Sequence, residues 1–177
     1  SGNSTRFAVG ASEHSAAALL ALGLIGAFLF GVTVATLLSA ARPSHRKSAV
    51  LLLVACLLAI SATLPHLGHG ALSPLLMAAA MGAENLVFQR NGEISIGLTY
   101  MTGAIVKVGQ RIGIAPLGGA RWDWLPHLLL WACLGSGAMI GALSYQRWRV
   151  DGLWAAAGVA LRLVGWAHRL ARMGESL

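Results

Sequence analysis

The stretch that decides the fold is Met81-Gly82-Ala83-Glu84-Asn85-Leu86-Val87-Phe88-Gln89-Arg90, which continues an apolar helix predicted to start at Ser73. It is hydrophobic enough to enter a lipid bilayer, and yet it carries a carboxylate and two side-chain amides. An ionisable group inside a bilayer costs about 2.5–3.5 kcal/mol on insertion scales, so such groups usually face the interior of a helical bundle. We therefore expect the functional site at this stretch.

The composition places the chain among membrane proteins. Of its 177 residues, 56% are hydrophobic and 11% are charged, whereas a soluble domain carries about 25% charged residues. The formal net charge of +7 comes largely from basic residues that flank apolar runs, at Arg42–Lys47, Arg147–Arg149 and Arg169–Arg172. Flanking charges of this kind attract anionic headgroups and set topology. The lipid bilayer is therefore the expected partner, and nucleic acid is not.

Apolar runs predict an all-α, polytopic transmembrane helical bundle. Spanning helices are expected over residues 16–41, 48–64, 73–90 and 125–145, with a last apolar segment over 152–168. Residues 94–108 are apolar but short, which is more typical of a re-entrant or interfacial segment than of a span. The small residues Ala27 and Gly31, and likewise Gly137 and Gly141, have the spacing of close helix contacts in lipid.

The chain also contains a weak internal repeat. Ser1-Gly2-Asn3-Ser4-Thr5-Arg6 aligns with Thr102-Gly103-Ala104-Ile105-Val106-Lys107, and each is followed by a loop, a glycine-rich span, a short basic turn and another span. Residues 1–177 thus form one predicted transmembrane domain, with repeat 1 over about 1–65 and repeat 2 over about 71–170. Repeat 2 has a leading helix that repeat 1 lacks. Two units of three helices have opposite orientations, which is the inverted-repeat plan of many secondary transporters.

These patterns resemble the YoaK-type family of bacterial integral membrane proteins, a domain of unknown function. The resemblance rests on Ala80-Met81-Gly82 through Asn85, on Tyr100-Met101-Thr102-Gly103, and on the opening Ser-Gly-Asn-Ser-Thr-Arg, which is similar to the family's Ser/Thr-Gly-Asn motif after its first helix. It covers essentially the whole chain and implies that a helix is missing before Ser1. The family usually has glutamine where this chain has Glu84. The resemblance implies a fold and no activity.

Candidate substrate-binding residues come from the opening stretch and from two predicted breaks. Met81, Asn85 and Gln89 share a predicted helix face, and Glu84 is adjacent to it. Glycine permits a helix break, and backbone that leaves the helix at membrane depth must line water or be buried in protein. The proposed set is Glu84, Asn85, Gln89, Thr102, Gly103, Lys107, Gly2, Asn3 and Arg6.

A structural role for these residues is the alternative, with Asn85 tying helices together and a base neutralising Glu84. Because the repeat brings Arg6 and Lys107 to equivalent breaks, we expect at least one of them to lie close to Glu84 or to the amide of Asn85. Glu84 is the one acidic residue within a predicted span. In either role, its side chain is expected inside the bundle.

No pattern predicts an enzyme. His66 and His69 are three residues apart in a loop, but no third ligand is nearby, so neither a metal nor a cofactor is expected. Arg162 is expected to extend its side chain towards the membrane surface or to pair with a carboxylate. The chain has no phosphate-binding loop and no nucleophile–base motif.

Two functions remain open from the sequence. One is a small secondary transporter in a bacterial inner membrane. The other is a non-catalytic integral accessory subunit packed in a larger membrane protein complex. A homodimer or a monomer would fit the transporter, and a stable larger assembly would fit the accessory subunit. The basic turn Arg42–Lys47 is predicted to be cytoplasmic and His66–Gly70 periplasmic. If residues 94–108 re-enter, which we favour, the turn Gln146–Asp151 is periplasmic in spite of its two arginines.

Overall fold

The computed structural model describes residues 2–13, 15–90, 93–94 and 101–174, and these are almost entirely helical. They include a pair of two-residue antiparallel strands, β1 and β2, in which Gln89 lies opposite Ile94. Short 3-10 turns connect several of the helices. The predicted all-α transmembrane bundle is confirmed. The helices are α1 (Gly2–Ser12), α2 (Ala16–Ala41), α3 (Arg46–Thr63), α4 (Ser73–Glu84), α5 (Met101–Ile114), α6 (Leu125–Trp148) and α7 (Gly152–Gly174).

Four segments of the described chain are long and apolar enough to cross a membrane. They are Ala16–Ala41, Arg46–Leu67, Gly70–Val87 and Leu125–Leu170. The last has 46 residues, which would form a helix of about 69 Å, roughly twice the thickness of the hydrocarbon core. It is interrupted at Arg149, where φ is 53°, and a 3-10 turn separates α6 from α7.

The helices fall into two compact units, Ser1–Ile96 with Val150–Leu177 and Gly97–Arg149. The second unit contains α5 and α6, which pack on each other. The buried residues of α5 are Gly103, Ala104 and Val108. Because glycine and alanine lack bulky side chains, this face permits a close approach between helices.

In the first unit, α2 and α4 approach each other so closely that their backbones touch. A Cβ atom built on Gly31 of α2 would overlap the backbone carbonyl of Ala79, and one built on Gly82 of α4 would overlap the carbonyl oxygen of Phe28. Lipid tails supply no hydrophobic drive for helix association, so close packing of small residues has to hold the pair together. The predicted packing role of Gly31 is confirmed.

Helix α3 joins the pair on one side, and serine hydroxyls tie its last turns to the start of α4. Ser61 Oγ donates to the backbone carbonyl of Ser73 at 2.9 Å, and Ser73 Oγ donates to the carbonyl of Ser61 at 2.9 Å. Both serines are fully buried. Because the end of α3 meets the start of α4, these two helices run antiparallel, and α4 is parallel to α2.

Helix α7 packs antiparallel to α3, with a histidine contact at each end. At one end His66 Nε2 lies 2.8 Å from Asp151 Oδ1. At the other end the rings of His45 and His168 have centroids 5.0 Å apart. The end of α3 therefore meets the start of α7, and the basic turn before α3 meets the last turns of α7. We call the end where the basic turn before α3 meets the last turns of α7 the basic end of the first unit. We call the end where α3 stops and α7 starts its opposite end.

This arrangement bears on membrane topology. Helix α4 ends towards the basic end, because Leu86 and Val87 pack in one cluster with Val50 near the start of α3. Helix α7 starts at the opposite end. The intervening chain must therefore cross the membrane an odd number of times, and among its described helices only α6 is long and apolar enough to do so. Whether residues 94–108 re-enter or cross stays a prediction, because residues 95–100 lie outside the described part of the chain.

Three boundaries differ from those predicted. Residues 2–12 form α1 rather than a polar lead, because the helix packs along α2 and Gly10 allows the contact: a Cβ there would lie 2.8 Å from the backbone nitrogen of Ala18. Helix α5 extends to Ile114, beyond the expected end of the short segment, whose first residues include the undescribed 95–100. The tail after His168 continues α7 to Gly174.

The order of a short helix followed by two long helices occurs twice, in α1–α3 and in α5–α7, with α4 between the two sets. This order agrees with the predicted repeat. The third helices of the two sets, α3 and α7, run antiparallel, as opposite orientations require. The inverted relation of the complete repeats stays a prediction.

Gly31→Ala tests the contact between α2 and α4. The new methyl group overlaps backbone rather than a flexible side chain, so we expect a loss of about 2 kcal/mol or more in unfolding free energy. Gly26→Ala is the matched control on the same helix, since nothing lies within 4 Å of its Cβ position, and it should be neutral or stabilise by about 0.5–1 kcal/mol. Unfolding in mild detergent measures both. Equal effects would contradict the contact.

Membrane-impermeant maleimide tests the topology in spheroplasts of cysteine variants in which Cys56 and Cys133 are replaced. We expect Leu67→Cys and Val150→Cys to be labelled from outside, because the His66–Asp151 contact places both at one end. Ser44→Cys and Arg172→Cys should be labelled only after permeabilisation. Labelling of Val150→Cys from the same side as Ser44→Cys would contradict the antiparallel arrangement of α3 and α7.

Candidate functional site

The stretch singled out by the sequence lies where a spanning segment leaves α-helical geometry. Helix α4 ends at Glu84, a 3-10 turn covers Asn85–Phe88, and strand β1 follows at Gln89–Arg90. Asn85 is 4% exposed, and its Nδ2 donates a hydrogen bond of 2.8 Å to the carbonyl of Met81. Asparagine side chains compete with the backbone for hydrogen bonds in this way, which favours helix ends.

The break is surrounded by an apolar cluster contributed by α2, α3 and α4. Ala83 and Leu86, on either side of the break, belong to the same buried cluster as Ala35 and Val50. Val50 is four residues, or about 6 Å, from the start of α3 at the basic end. Glu84 is partly buried beside this cluster. A carboxylate and a buried amide thus lie at the broken end of a segment, Gly70–Val87, that is long and apolar enough to span a membrane.

Two predictions about this stretch are wrong. The helix was expected to continue to Arg90 and to place Asn85 and Gln89 on one face with Met81. Gln89 instead lies on β1, because α-helical geometry ends once the side chain of Asn85 takes the Met81 carbonyl. Gln89 therefore does not share a helix face with Asn85.

Asn3 and Arg6 line a different feature, a cavity of about 380 Å³ between α1 and α2. Its lining includes Asn3, Arg6 and Gly10, whose spacings of three and four residues place them on one face of α1, and Glu13, which follows the end of that helix. Its wall on α2 is apolar. That wall consists of Ala17, Leu20, Ala21 and Leu24.

The cavity extends along the first third of α2. Gly10 touches Ala18 next to the turn, and Ser15 N–H donates to the carbonyl of Gly10 at 2.9 Å. Helix α1 therefore folds back beside α2 as a hairpin. Leu24, at the far end of the wall, is eight residues or about 12 Å from the start of α2. The hairpin starts at the opposite end of the unit from Glu84, because α2 starts there.

Arg6 is therefore not the base that was expected beside Glu84. The other expected base, Lys107, belongs to the second unit, and its part of the prediction stays a prediction. Arg6 lies beside the first turns of α2, whereas the residues flanking Glu84 pack near Ala35, towards the last turns of the same helix. Among the described residues of the first unit, no ion pair involves Glu84. The reason is the direction of the hairpin, which carries α1 into the half of the bundle away from the basic end.

The remaining candidates lie in regular helix. Gly2 belongs to α1, and Thr102, Gly103 and Lys107 belong to α5. Gly2 is the first residue of α1 and Gly103 is a buried residue in the first turn of α5. The predicted backbone openings adjoin residues outside the described part of the chain, so they stay a prediction. Thr102 and Lys107 are exposed. The structure thus distributes the predicted set over the α4 break, the α1–α2 cavity and α5.

Two residues of these sites were not predicted from the sequence, Glu13 and Asp151. Glu13 lines the cavity, and its spacing from Arg6 could have revealed it once α1 was recognised as a helix. The partner of His66 is Asp151, which is 85 residues away and left no local signal. In the part of the chain that the structure describes, no three metal-ligating side chains come together, and Arg162 is exposed on α7.

Comparison with known proteins identifies relatives of the chain. The family model described as "Protein of unknown function (DUF1275)" matches residues 1–166. The chain is 30% identical over 131 residues to "UPF0700 transmembrane protein RA0705" of Rhizobium meliloti (strain 1021), an alignment that covers 74% of this chain. The chain spans 57% of the length of that relative. No solved structure matches.

Asn85→Ala tests the helix end. It removes the donor that satisfies the Met81 carbonyl in a buried place, so we expect a loss of about 1–3 kcal/mol in unfolding free energy. Thr33→Val is the matched control, because Thr33 Oγ1 also bonds the carbonyl four residues earlier, at 2.9 Å, but on an exposed face. We expect it to change stability by less than about 0.5 kcal/mol. A neutral Asn85→Ala would show that the bond does not stabilise the break.

Proposed function

The chain belongs to the DUF1275 family of unknown function, which is the YoaK-type family that its sequence resembles. We propose that it acts as a non-enzymatic secondary transporter in a bacterial inner membrane. The observation that carries the proposal is the break in α4, a spanning segment that leaves α-helical geometry at a carboxylate and a buried amide. Secondary transporters commonly form their sites at such discontinuous helices.

Polarity within an apolar environment supports this proposal. Ionisable groups within membrane-spanning segments are rare and mark substrate, ion or proton pathways. Glu84 has no basic partner among the described residues of its own unit, so its carboxylate is available to a proton, a cation or a cationic part of a substrate. Asn85 holds the break in place through Met81, and its position at the end of α4 orients Glu84.

Polar residues in both predicted repeats support the same proposal. In the first unit, Asn3 and Arg6 line a cavity beside α2. In the second, Thr102, Gly103 and Lys107 occupy the aligned positions on α5 and remain proposed substrate-binding residues. A transporter with alternating access needs polar positions that open from both sides of the membrane. A pair of short helices, one in each repeat, would supply them.

A second candidate function, a non-catalytic accessory subunit of a larger membrane complex, is favoured by one observation. Helix α6 has no buried residue, and open space surrounds the Cβ positions of Gly137 and Gly141. Small residues at this spacing commonly mediate helix association in lipid. Purification in mild detergent separates the two candidates, since a stable assembly with other chains favours the subunit and a monomer that transports favours the transporter.

Proteoliposomes test the transport function. We expect electrogenic or proton-coupled flux for at least one solute in a panel of carboxylates, amines, amino acids and alkali cations. Glu84→Gln should lower that flux at least tenfold, and Glu84→Asp should restore part of it. Met81→Leu is the control on the same helix, because the Met81 side chain is 50% exposed. No flux with any solute, or flux that is indifferent to Glu84→Gln, would contradict the proposal.

A further inference from the structure

The cavity between α1 and α2 has the chemistry of a binding site for a small anion. Its volume of about 380 Å³ lies within the range of small-molecule sites, about 300–1,000 Å³. One wall carries a guanidinium and a side-chain amide, and the other is formed by leucine and alanine side chains. Mostly apolar walls with a few placed polar groups are typical of such sites.

The two charged residues of the lining are separated along α1. Arg6 and Glu13 are seven residues apart, which corresponds to about 10.5 Å along the helix, and no ion pair joins them in the described structure. Glu13 lies next to the turn before α2, and Arg6 lies one to two turns further along the cavity. The guanidinium of Arg6 is therefore not neutralised by the carboxylate of the same wall.

This separation defines the charge of a suitable ligand. A guanidinium binds a carboxylate through two parallel N–H···O bonds, and an adjacent amide adds a further donor. One arginine balances one negative charge, and Glu13 on the same wall disfavours a second one, since like charges at this distance repel. The apolar side chains of Leu20 and Leu24 lie on the opposite wall, where they can contact the uncharged part of a ligand.

We propose that this cavity binds a small monocarboxylate, with the carboxylate group on Arg6 and Asn3 and the apolar body against Leu20 and Leu24. If the protein is a transporter, as proposed above, this site gives its substrate class. Binding to the site can be tested without transport, and only the step from binding to transport rests on the proposed function. We expect phosphate monoesters, which carry close to two charges at neutral pH, and neutral or cationic analogues to bind less tightly than a monocarboxylate.

Binding of benzoate to the purified full chain in detergent tests the site by calorimetry. Benzamide, benzylamine and phenyl phosphate are the neutral, cationic and doubly charged comparisons. We expect saturable binding of benzoate alone. Arg6→Gln should weaken it at least tenfold, the effect of losing a charged hydrogen bond, whereas Arg6→Lys should keep part of it. Arg121→Gln, at an exposed arginine of the second unit, is the control and should bind benzoate as the unchanged protein does.

A second variant tests the apolar wall without changing the charge. Leu20 is 54% exposed, so Leu20→Trp should fill the cavity without disturbing the helix, and it should abolish benzoate binding while thermal unfolding stays unchanged. Equal binding of benzamide, binding that is indifferent to both variants, or no benzoate binding at all would overturn the site. Benzoate binding that depends on Arg6 without any flux would uphold the site and contradict transport, so the two failures are distinguishable.

Discussion

The backbone contact between α2 and α4 is the constraint on which the first unit depends. Gly31 and Gly82 each face a carbonyl of the other helix at a distance that no side chain permits. In lipid, where apolar surface gains little by association, such contacts hold helices together. The approach of α4 to α2 and α3 also creates the apolar cluster around Ala83 and Leu86. Residues of that cluster flank the end of α4 on both sides, so the break at Glu84 lies beside packed apolar side chains.

Contacts between helix ends add orientation to this packing. The Ser61–Ser73 pair sets α3 against the start of α4, and the two histidine contacts set α3 against α7. The His66–Asp151 pair is exposed, at 59% and 57% of the two side chains, so it contributes little to stability. Its value is topological. It places the start of α7 at the end of the first unit that lies opposite the basic turn before α3.

The candidate sites differ in how far local sequence could predict them. Glu84 and Asn85 were identifiable because polar groups inside an apolar run are rare, and this needs only composition along the chain. The cavity required α1 to be a helix that folds back on α2. Its sequence is polar at the start, and its helical geometry depends on Gly10 meeting Ala18. Arg6 was predicted from its place in the repeat, and it lines a cavity together with Asn3 and Glu13 instead of lying near Glu84.

The sequence by itself determined the membrane class, the all-α bundle, the family and the order of short and long helices, because each of these follows from hydropathy and residue pattern along the chain. The packing role of Gly31 also followed from the sequence, because the spacing of the small residues Ala27 and Gly31 is typical of close helix contacts in lipid. Tertiary structure alone decided which end of the unit Arg6 occupies, where α4 stops and which residue faces His66. These depend on contacts between segments far apart in sequence, such as the 85 residues between His66 and Asp151, and no local pattern encodes such distances.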